Sequence, residues 1–216
     1  LISLIVVLNT LVILMSEVFI TNSRTHAAEL PQPSPYSPRV QNAIRRGLDY
    51  LAKTQSPSGA WRCVVGFKVN YDYTPLEKNK MTEEHVGITS IALLAMLANG
   101  SVPGRGPYGD NISLGLDFVL SCVRESNGYI TRNGTRMYSH AFATLFLAQV
   151  YGMSPRSDVR DKLKKAVHLL INSQNIQGGW RYQPWPVDAD ISVTVSCLQA
   201  LRAARNAGIY VPKSVI

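Results

Sequence analysis

Gln174-Asn175-Ile176-Gln177-Gly178-Gly179-Trp180 closes a stretch, Val159 to Asn172, whose apolar residues recur at helical spacing. Gln55-Ser56-Pro57-Ser58-Gly59-Ala60-Trp61 closes an earlier stretch of the same kind. The shared pattern (Gln, three residues, Gly, one residue, Trp) predicts a repeated helix-plus-turn unit. Each residue type has a structural use in such a turn. Gly59 and Gly178 permit a backbone bend that a Cβ obstructs. Trp61 and Trp180 cover the apolar end of a neighbouring helix with large buried area. Gln55 and Gln174 hydrogen-bond backbone groups left over at a helix end.

Before the first turn, Val40, Ile44, Leu48 and Leu51 fall at i, i+4, i+8 and i+11 and predict an amphipathic helix running into Gln55. A polar and aromatic insertion follows, Phe67 to Glu83, with Tyr71, Tyr73 and Lys78-Asn79-Lys80. It reads as a lid, a partner-contacting loop or a plain surface excursion. His85 to Asn99 is a strongly apolar helix, with Gly100 as its C-cap. A second unit repeats the plan. Its first helix is expected over Leu114 to Val123, where Gly115-Leu116-Asp117-Phe118 parallels Gly47-Leu48-Asp49-Tyr50. Its turn is degenerate: Val123 stands where Gln would be, Gly128 comes one residue late, and Ile130 replaces Trp. Its partner helix spans Ser139 to Tyr151 and stops at Gly152. The third unit has Val159 to Asn172, the second Trp turn, and a helix from Ile191 to Asn206 ending at Gly208. Tyr50, Phe118 and Leu169 occupy equivalent places, at intervals of 68 and 51 residues, the first lengthened by the insertion. The expected fold is all-α, with about three helical pairs over residues 39–216. Pro38, Pro103, Pro155 and Pro212 each introduce a unit. Pro212 would open a fourth pair that ends at Ile216, so truncation at the C-terminus is expected.

Leu1 to Met15 is nearly all aliphatic, interrupted by Ser3, Asn9 and Thr10. A membrane span needs about 20 apolar residues, so residues 1–28 read as a secretory signal, with a membrane anchor as the alternative. Thr25-His26-Ala27-Ala28 offers small residues for cleavage. The chain starts with Leu and lacks a basic n-region, so truncation is expected here too. Glu29 to Pro38, with Pro31, Pro33, Pro35 and Pro38, is a linker in which proline blocks helix. The expected location is therefore periplasmic or extracellular, with membrane contact only through the N-terminal segment. Cys63, Cys122 and Cys197 are too few and too widely spaced for a disulfide scaffold or a zinc cluster, and read as buried free thiols. The formal charge of +8 raises nucleic acid or anionic lipid as partners. The basic residues are scattered, however, densest at Arg45-Arg46 and Lys162-Leu163-Lys164-Lys165, with no interleaved aromatics. A solvated surface, and no nucleic-acid partner, is expected.

Over about residues 38–211, the Gln-x-x-x-Gly-x-Trp turns ending the first helix of each pair resemble the repeats of the terpenoid cyclase and prenyltransferase superfamily. Squalene–hopene cyclase and the prenyltransferase β subunits belong there. The resemblance implies an α/α toroid, in which inner and outer rings of alternating helices surround a largely apolar cavity. Three pairs would form an incomplete ring. It also implies a candidate catalytic segment. In class II triterpene cyclases a loop after this turn leads into Asp-x-Asp-Asp-Thr, whose middle Asp protonates an alkene. Asp190 matches that middle Asp and Asp188 the first, while Ile191 replaces the last. Protonating an alkene needs a strong acid kept protonated in a dry pocket, and losing one carboxylate removes part of that arrangement. The other reading of Asp188 and Asp190 is capping of the helix that follows. The zinc ligand trio of prenyltransferases finds no match here, so no metal and no cofactor are expected.

His85 and His140 each begin the second helix of a pair, with Asp188 or Asp190 nearby in the third unit. If these starts converge on one rim, they form a polar ligand site; otherwise they are helix-start caps. Tyr182 and Trp185 either offer aromatic faces to a carbocation or sugar, or pack within their loop. Three functions follow: an exported ligand-binding or scaffold module for an apolar small molecule or a carbohydrate; a cyclase with Asp190 as general acid; and a carbohydrate-active lyase, by fold analogy. The incomplete acidic segment and the export signal favour the first. Isoprenoid diphosphates are cytoplasmic, which disfavours prenyl transfer.

Overall fold

A computed structural model describes residues 36–69, 72–75, 83–154 and 156–216. The expected signal over residues 1–28, most of the linker, Pro155, Tyr71 and Lys78-Asn79-Lys80 lie outside the described residues. The chain divides into two compact units, Leu1–Arg46 and Gly47–Ile216. Among the described residues no helix is long and apolar enough to cross a membrane.

In the first unit the described residues hold the start of helix α1 (Pro38–Thr54). Ser37 Oγ accepts from the Val40 amide at 3.4 Å and Ser37 O accepts from Gln41 N at 3.0 Å. A serine ahead of a proline in the first turn is a favourable start, because the missing proline N–H would have had no helical partner. Residues 36–46 are exposed.

The second unit is mostly helical. Helices α2 (Val86–Ala98), α4 (Met137–Tyr151) and α6 (Ile191–Asn206) lie side by side with α4 in the middle. Helix α3 (Gly109–Ser121) packs on α2, and α5 (Ser157–Asn172) packs on α4 and α6. Composition accounts for the two layers. In α4, Ala141, Ala143, Leu145, Phe146, Leu147, Ala148 and Val150 are all buried, together with the polar Ser139, His140 and Thr144, so this helix is enclosed on nearly every side. Helices α3 and α5 bury one face each, through Ile112, Leu116 and Val119 and through Val159, Leu163 and Leu170. Small residues let the α2 and α4 backbones approach. A Cβ on Gly87 would stand 2.5 Å from Ser139 Oγ.

The helices differ from expectation mainly at their starts. Helix α3 begins at Gly109, five residues before Leu114, and α4 begins at Met137 rather than Ser139. Gly109-Asp110-Asn111 are weak helix formers, but tertiary bonds decide here. Asn111 Nδ2 donates to Gln55 Oε1 at 2.6 Å, and the Tyr108 hydroxyl reaches Asp49 Oδ1 at 2.8 Å. Part of the insertion is strand rather than loop. Strand β2 (Gly66–Val69) pairs antiparallel with β3 (Asp72–Pro75), while β1 (Arg62–Cys63) pairs with β4 (Glu83–Glu84), Arg62 opposite Glu84. After α6, Lys213–Val215 forms one 3-10 turn.

The three turns leaving α1, α3 and α5 share one backbone scheme. Ser56 N donates to Ala60 O and Gly59 N to Ser56 O, both at 2.9 Å. Asn175 N donates to Gly179 O and Gly178 N to Asn175 O, at 2.9 and 3.0 Å. Arg124 N donates to Tyr129 O and Gly128 N to Arg124 O, at 3.0 and 2.8 Å. Gly59, Gly128 and Gly178 all have φ near +80°, at +87°, +76° and +80°, a region that side chains with a Cβ avoid. Gln55 Nε2 donates to Gly59 O and Asn111 O; Gln174 Nε2 donates to Gly178 O and Val215 O. Each glutamine thus closes its own turn and holds a later segment, the start of α3 for Gln55 and residues 213–215 for Gln174. The indole N–H groups of Trp61 and Trp180 donate back to Leu51 O and Leu170 O at 3.0 and 2.8 Å, ten residues earlier in each case.

Candidate functional site

The Trp that ends each Gln-Gly-Trp turn leads to the N-terminus of a second-layer helix. His85 N donates to Trp61 O at 3.0 Å and Asp190 N to Trp180 O at 2.8 Å. His85 and Asp190 are both N-caps with extended backbone. His85 Nδ1 accepts from Ile88 N at 3.2 Å; Asp190 Oδ1 accepts from Ser192 N at 2.9 Å and Val193 N at 3.1 Å. Four residues beyond each cap, Thr89 and Thr194 accept the amides of Trp61 and Trp180 through their hydroxyls. In the middle unit the cap is Arg136, and the residue four beyond is His140, whose Nδ1 accepts from Ile130 N at 3.0 Å. His85 and His140 are therefore not equivalent positions. His85 matches Asp190, and His140 matches Thr89 and Thr194.

His140 is fully buried, and its Nε2 faces Ala166 O at 3.2 Å. An acceptor at Nδ1 and a carbonyl at Nε2 fix the neutral tautomer with hydrogen on Nε2. Burial pushes its pKa down to about 3, against a small upward pull from Ala166 O. His140 stands in the core with its ring 5.4 Å from that of Tyr129, and is not on a rim. His85 is half-buried, and burial lowers its pKa as well. Helix α4 lies between His85 and Asp190.

The residues that do come together are Tyr182, Asp190, Ser192 and Tyr138. Met137 N donates to Tyr182 O at 3.0 Å, which ties the loop 181–190 to the start of α4. The Tyr182 hydroxyl donates to Asp190 Oδ2 at 3.2 Å, Ser192 Oγ to Asp190 Oδ1, and Tyr138 OH meets Ser192 Oγ. The two phenol rings are 6.3 Å apart. Burial works upward on Asp190, but the hydrogen bonds from Ser192, Val193 and Tyr182 outweigh it, and the carboxyl sits below its ordinary value. Burial raises both phenols, Tyr182 further by the Asp190 charge and Tyr138 against the Ser192 bond. At neutral pH the cluster is one carboxylate ringed by hydroxyl donors. Such a group accepts hydrogen bonds and cations; it does not hold a proton to give.

Asp188 lies apart from the carboxylate cluster, ion-paired with Arg181, whose guanidinium stands 5.4 Å from the Tyr182 ring centre. Trp185 adopts φ +57° and is 63 % exposed, an uncommon backbone for a bulky side chain. Pro184 and Pro186 flank it, so its indole is presented outward on a stiff loop. Tyr138 and Arg181 are site residues that the sequence reading omits. The signal for Tyr138 is register: Gly87, Tyr138 and Ser192 each stand two residues past a cap. Cys63, Cys122 and Cys197 are free thiols, the last two buried, and burial pushes Cys122 up to about 11. Among the described residues no three His, Cys, Asp or Glu side chains are grouped to hold a metal ion.

Comparison of the chain with protein-family models and with curated proteins finds no match.

Proposed function

We propose that the chain is an exported α/α toroid-type protein resembling the terpenoid cyclases and prenyltransferases, working as a ligand-binding or scaffold module. The observation that carries this reading is the state of Asp190. Its carboxylate is held below its ordinary value by the Tyr182 and Ser192 hydroxyls and two backbone amides. A general acid for an alkene must keep its proton at working pH. A capped, ionised Asp190 instead offers an acceptor beside the Tyr182 phenol, on the loop that also presents Trp185 outward, a combination suited to an apolar small molecule with a polar end, or to a carbohydrate. The toroid part is supported by the matched turns and by α2, α4 and α6 lying in a row with α3 and α5 packed on them. Inner and outer helices of an arc of three pairs would be arranged in that way.

The experiment is incubation of the protein with squalene, followed by product analysis and thermal melting of Asp190 variants. The module reading expects no cyclised product. It also expects Asp190→Asn to melt close to wild type, since Asn caps nearly as well, and Asp190→Ala to lose about 1 kcal/mol. Cyclised product from the wild type and none from Asp190→Asn would overturn the module in favour of a cyclase.

A further inference from the structure

We propose that Asn133 is a site of spontaneous deamidation, and that its conversion to aspartate or isoaspartate releases the 131–135 loop from strand β4. Asn-Gly occurs three times in the chain, at 99–100, 127–128 and 133–134. In each pair the glycine nitrogen can approach the asparagine side-chain carbonyl, because no Cβ shields it. Base strips the glycine N–H, the nitrogen attacks Cγ, and the Cγ–Nδ2 bond breaks, so that the amide leaves as ammonia. Water then opens the cyclic imide at either carbonyl and leaves a mixture of aspartyl and isoaspartyl chains. An N–H that is already donating must first give up its bond.

The fold treats the three glycine amides differently. Gly100 N donates to Leu97 O at 2.9 Å, and Gly128 N to Arg124 O at 2.8 Å. Gly128 is also buried against α5, where a Cβ would stand 2.4 Å from the Lys165 carbonyl, and Asn127 Oδ1 accepts from Tyr129 N at 3.0 Å. Gly134 is exposed, and its amide donates to no described residue. The turn explains this. Thr135 N donates to Arg132 O at 3.0 Å, while Asn133 and Gly134 have φ of +52° and +83°. A turn with both central residues left-handed is bonded across its ends, and the amide between its central residues faces water. Asn133 is exposed too, and its Nδ2 donates to Glu84 O at 3.1 Å, a bond that water can replace.

Glu84 is where the loop is fastened. Arg132 pairs with its carboxylate at 3.1 Å and Asn133 donates to its carbonyl. Conversion deletes the Nδ2 donor, brings a carboxylate to that carbonyl, and sets a second acid beside Arg132 in the chain. The 62–84 insertion thereby loses a fastening to the middle unit at its β1–β4 base.

The test ages the whole chain at mildly alkaline pH, folded and in urea. Peptide mass spectrometry with isoaspartyl methyltransferase labelling reads the three sites. In the folded chain Asn133 should convert about tenfold faster than Asn99 and Asn127, the factor for opening one backbone hydrogen bond, with isoaspartate among its products. In urea the three rates should converge. Conversion of Asn99 or Asn127 as fast as Asn133 in the folded chain overturns the proposal. So does a spread that persists in urea, because the fold would then not be selecting the site. Aspartate without isoaspartate would overturn the imide route. Asn133→Asp supplies the charge without ageing, and aspartate tolerates the left-handed backbone. It should speed amide exchange at Glu83–Glu84 and leave α4 unchanged; unaltered exchange at Glu83–Glu84 overturns the release from β4.

Discussion

The turn at 174–180 and the turn at 123–130 follow the same backbone path with different side chains. In the first, Trp180 is fully buried, its indole N–H holds Leu170 O, and its amide is taken by the Thr194 hydroxyl. In the second, Ile130 is equally buried but has no polar end, and its amide is taken by His140. The other nitrogen of His140 faces Ala166 O in the following helix, α5, where Trp180 reaches back to the preceding one. The middle unit therefore replaces a large anchor to the helix before it with a smaller residue and an imidazole bridge to the helix after it. The path is set by Gly128 or Gly178 and the backbone bonds. The side chains decide which neighbour is fastened.

The largest expected effect follows from anchor size. Trp180→Ala removes a fully buried indole and the shorter of two side-chain donors to Leu170 O, the other being the Ser173 hydroxyl, and should cost about 3–5 kcal/mol in urea unfolding. Ile130→Ala should cost less, about 2–3 kcal/mol, since the backbone bonds and His140 remain. Equal losses at the two sites would mean that the indole bond adds nothing, and the contrast between the turns would reduce to volume.

The imidazole bridge should make the middle turn sensitive to acid. With a folded pKa of about 3 against an ordinary 6.5, His140 binds a proton in the unfolded state before it does so in the folded one. Stability is then fully present above about pH 6.5 and falls as the pH drops toward 3, by up to about 1.4 kcal/mol per pH unit. His85 is shifted in the same direction and adds to the slope. His140→Gln can still accept from Ile130 N and donate to Ala166 O, but does not titrate. It should flatten the His140 part of the slope between pH 4 and 6, read by denaturation at several pH values. An unchanged slope would place the acid sensitivity elsewhere. The Trp turns, with threonine in that position, have no comparable titrating group.

Gly59 and Gly178 test whether the matched turns carry equal loads. A Cβ on Gly59 would stand 2.2 Å from Leu114 O, a backbone atom of α3. At Gly178 the nearest atom is Gln174 Nε2, at 4.0 Å. The left-handed φ alone costs about 1–2 kcal/mol for alanine. Gly178→Ala should lose about that much. Gly59→Ala should lose about 3 kcal/mol or more, because α3 must also shift. Similar melting temperatures for the two variants would show that α3 moves freely.

Much of the helical layout was legible because apolar spacing at 3.6 residues is strong in this chain. The last long helix falls at Ile191–Asn206, as its pattern predicts, and α5 differs only by starting at Ser157. Starts governed by tertiary bonds were not legible. Nothing local marks Gly109 as helical, because the stabilising partners, Gln55 and Asp49, lie more than fifty residues away. The polar site was only partly legible for a related reason. Helix-start position can be read by spacing to within a turn, and one turn separates a cap such as His85 from a core residue such as His140. Tyr138 belongs to the site through a hydroxyl contact with Ser192, across two helices that the sequence does not show to be neighbours.

The smallest effect expected runs in the stabilising direction and comes from the middle turn again. Tyr129 is 7 % exposed, and its hydroxyl is a buried polar atom without a hydrogen bond. Burial raises its pKa to about 12, so the group stays a neutral phenol. Its ring does useful packing, tilted against His140 at 5.4 Å and with the Arg124 guanidinium 5.6 Å from its centre. The ring and the hydroxyl thus have opposite signs. Tyr129→Phe keeps the ring contacts and deletes the unsatisfied oxygen, so stability should rise by about 0.5–1 kcal/mol. Tyr129→Leu removes the ring and should lower it. A loss of stability in Tyr129→Phe would mean that the phenol oxygen is satisfied in solution. The middle turn would then have two polar groups fastening it, His140 and Tyr129, where each Trp turn has an indole.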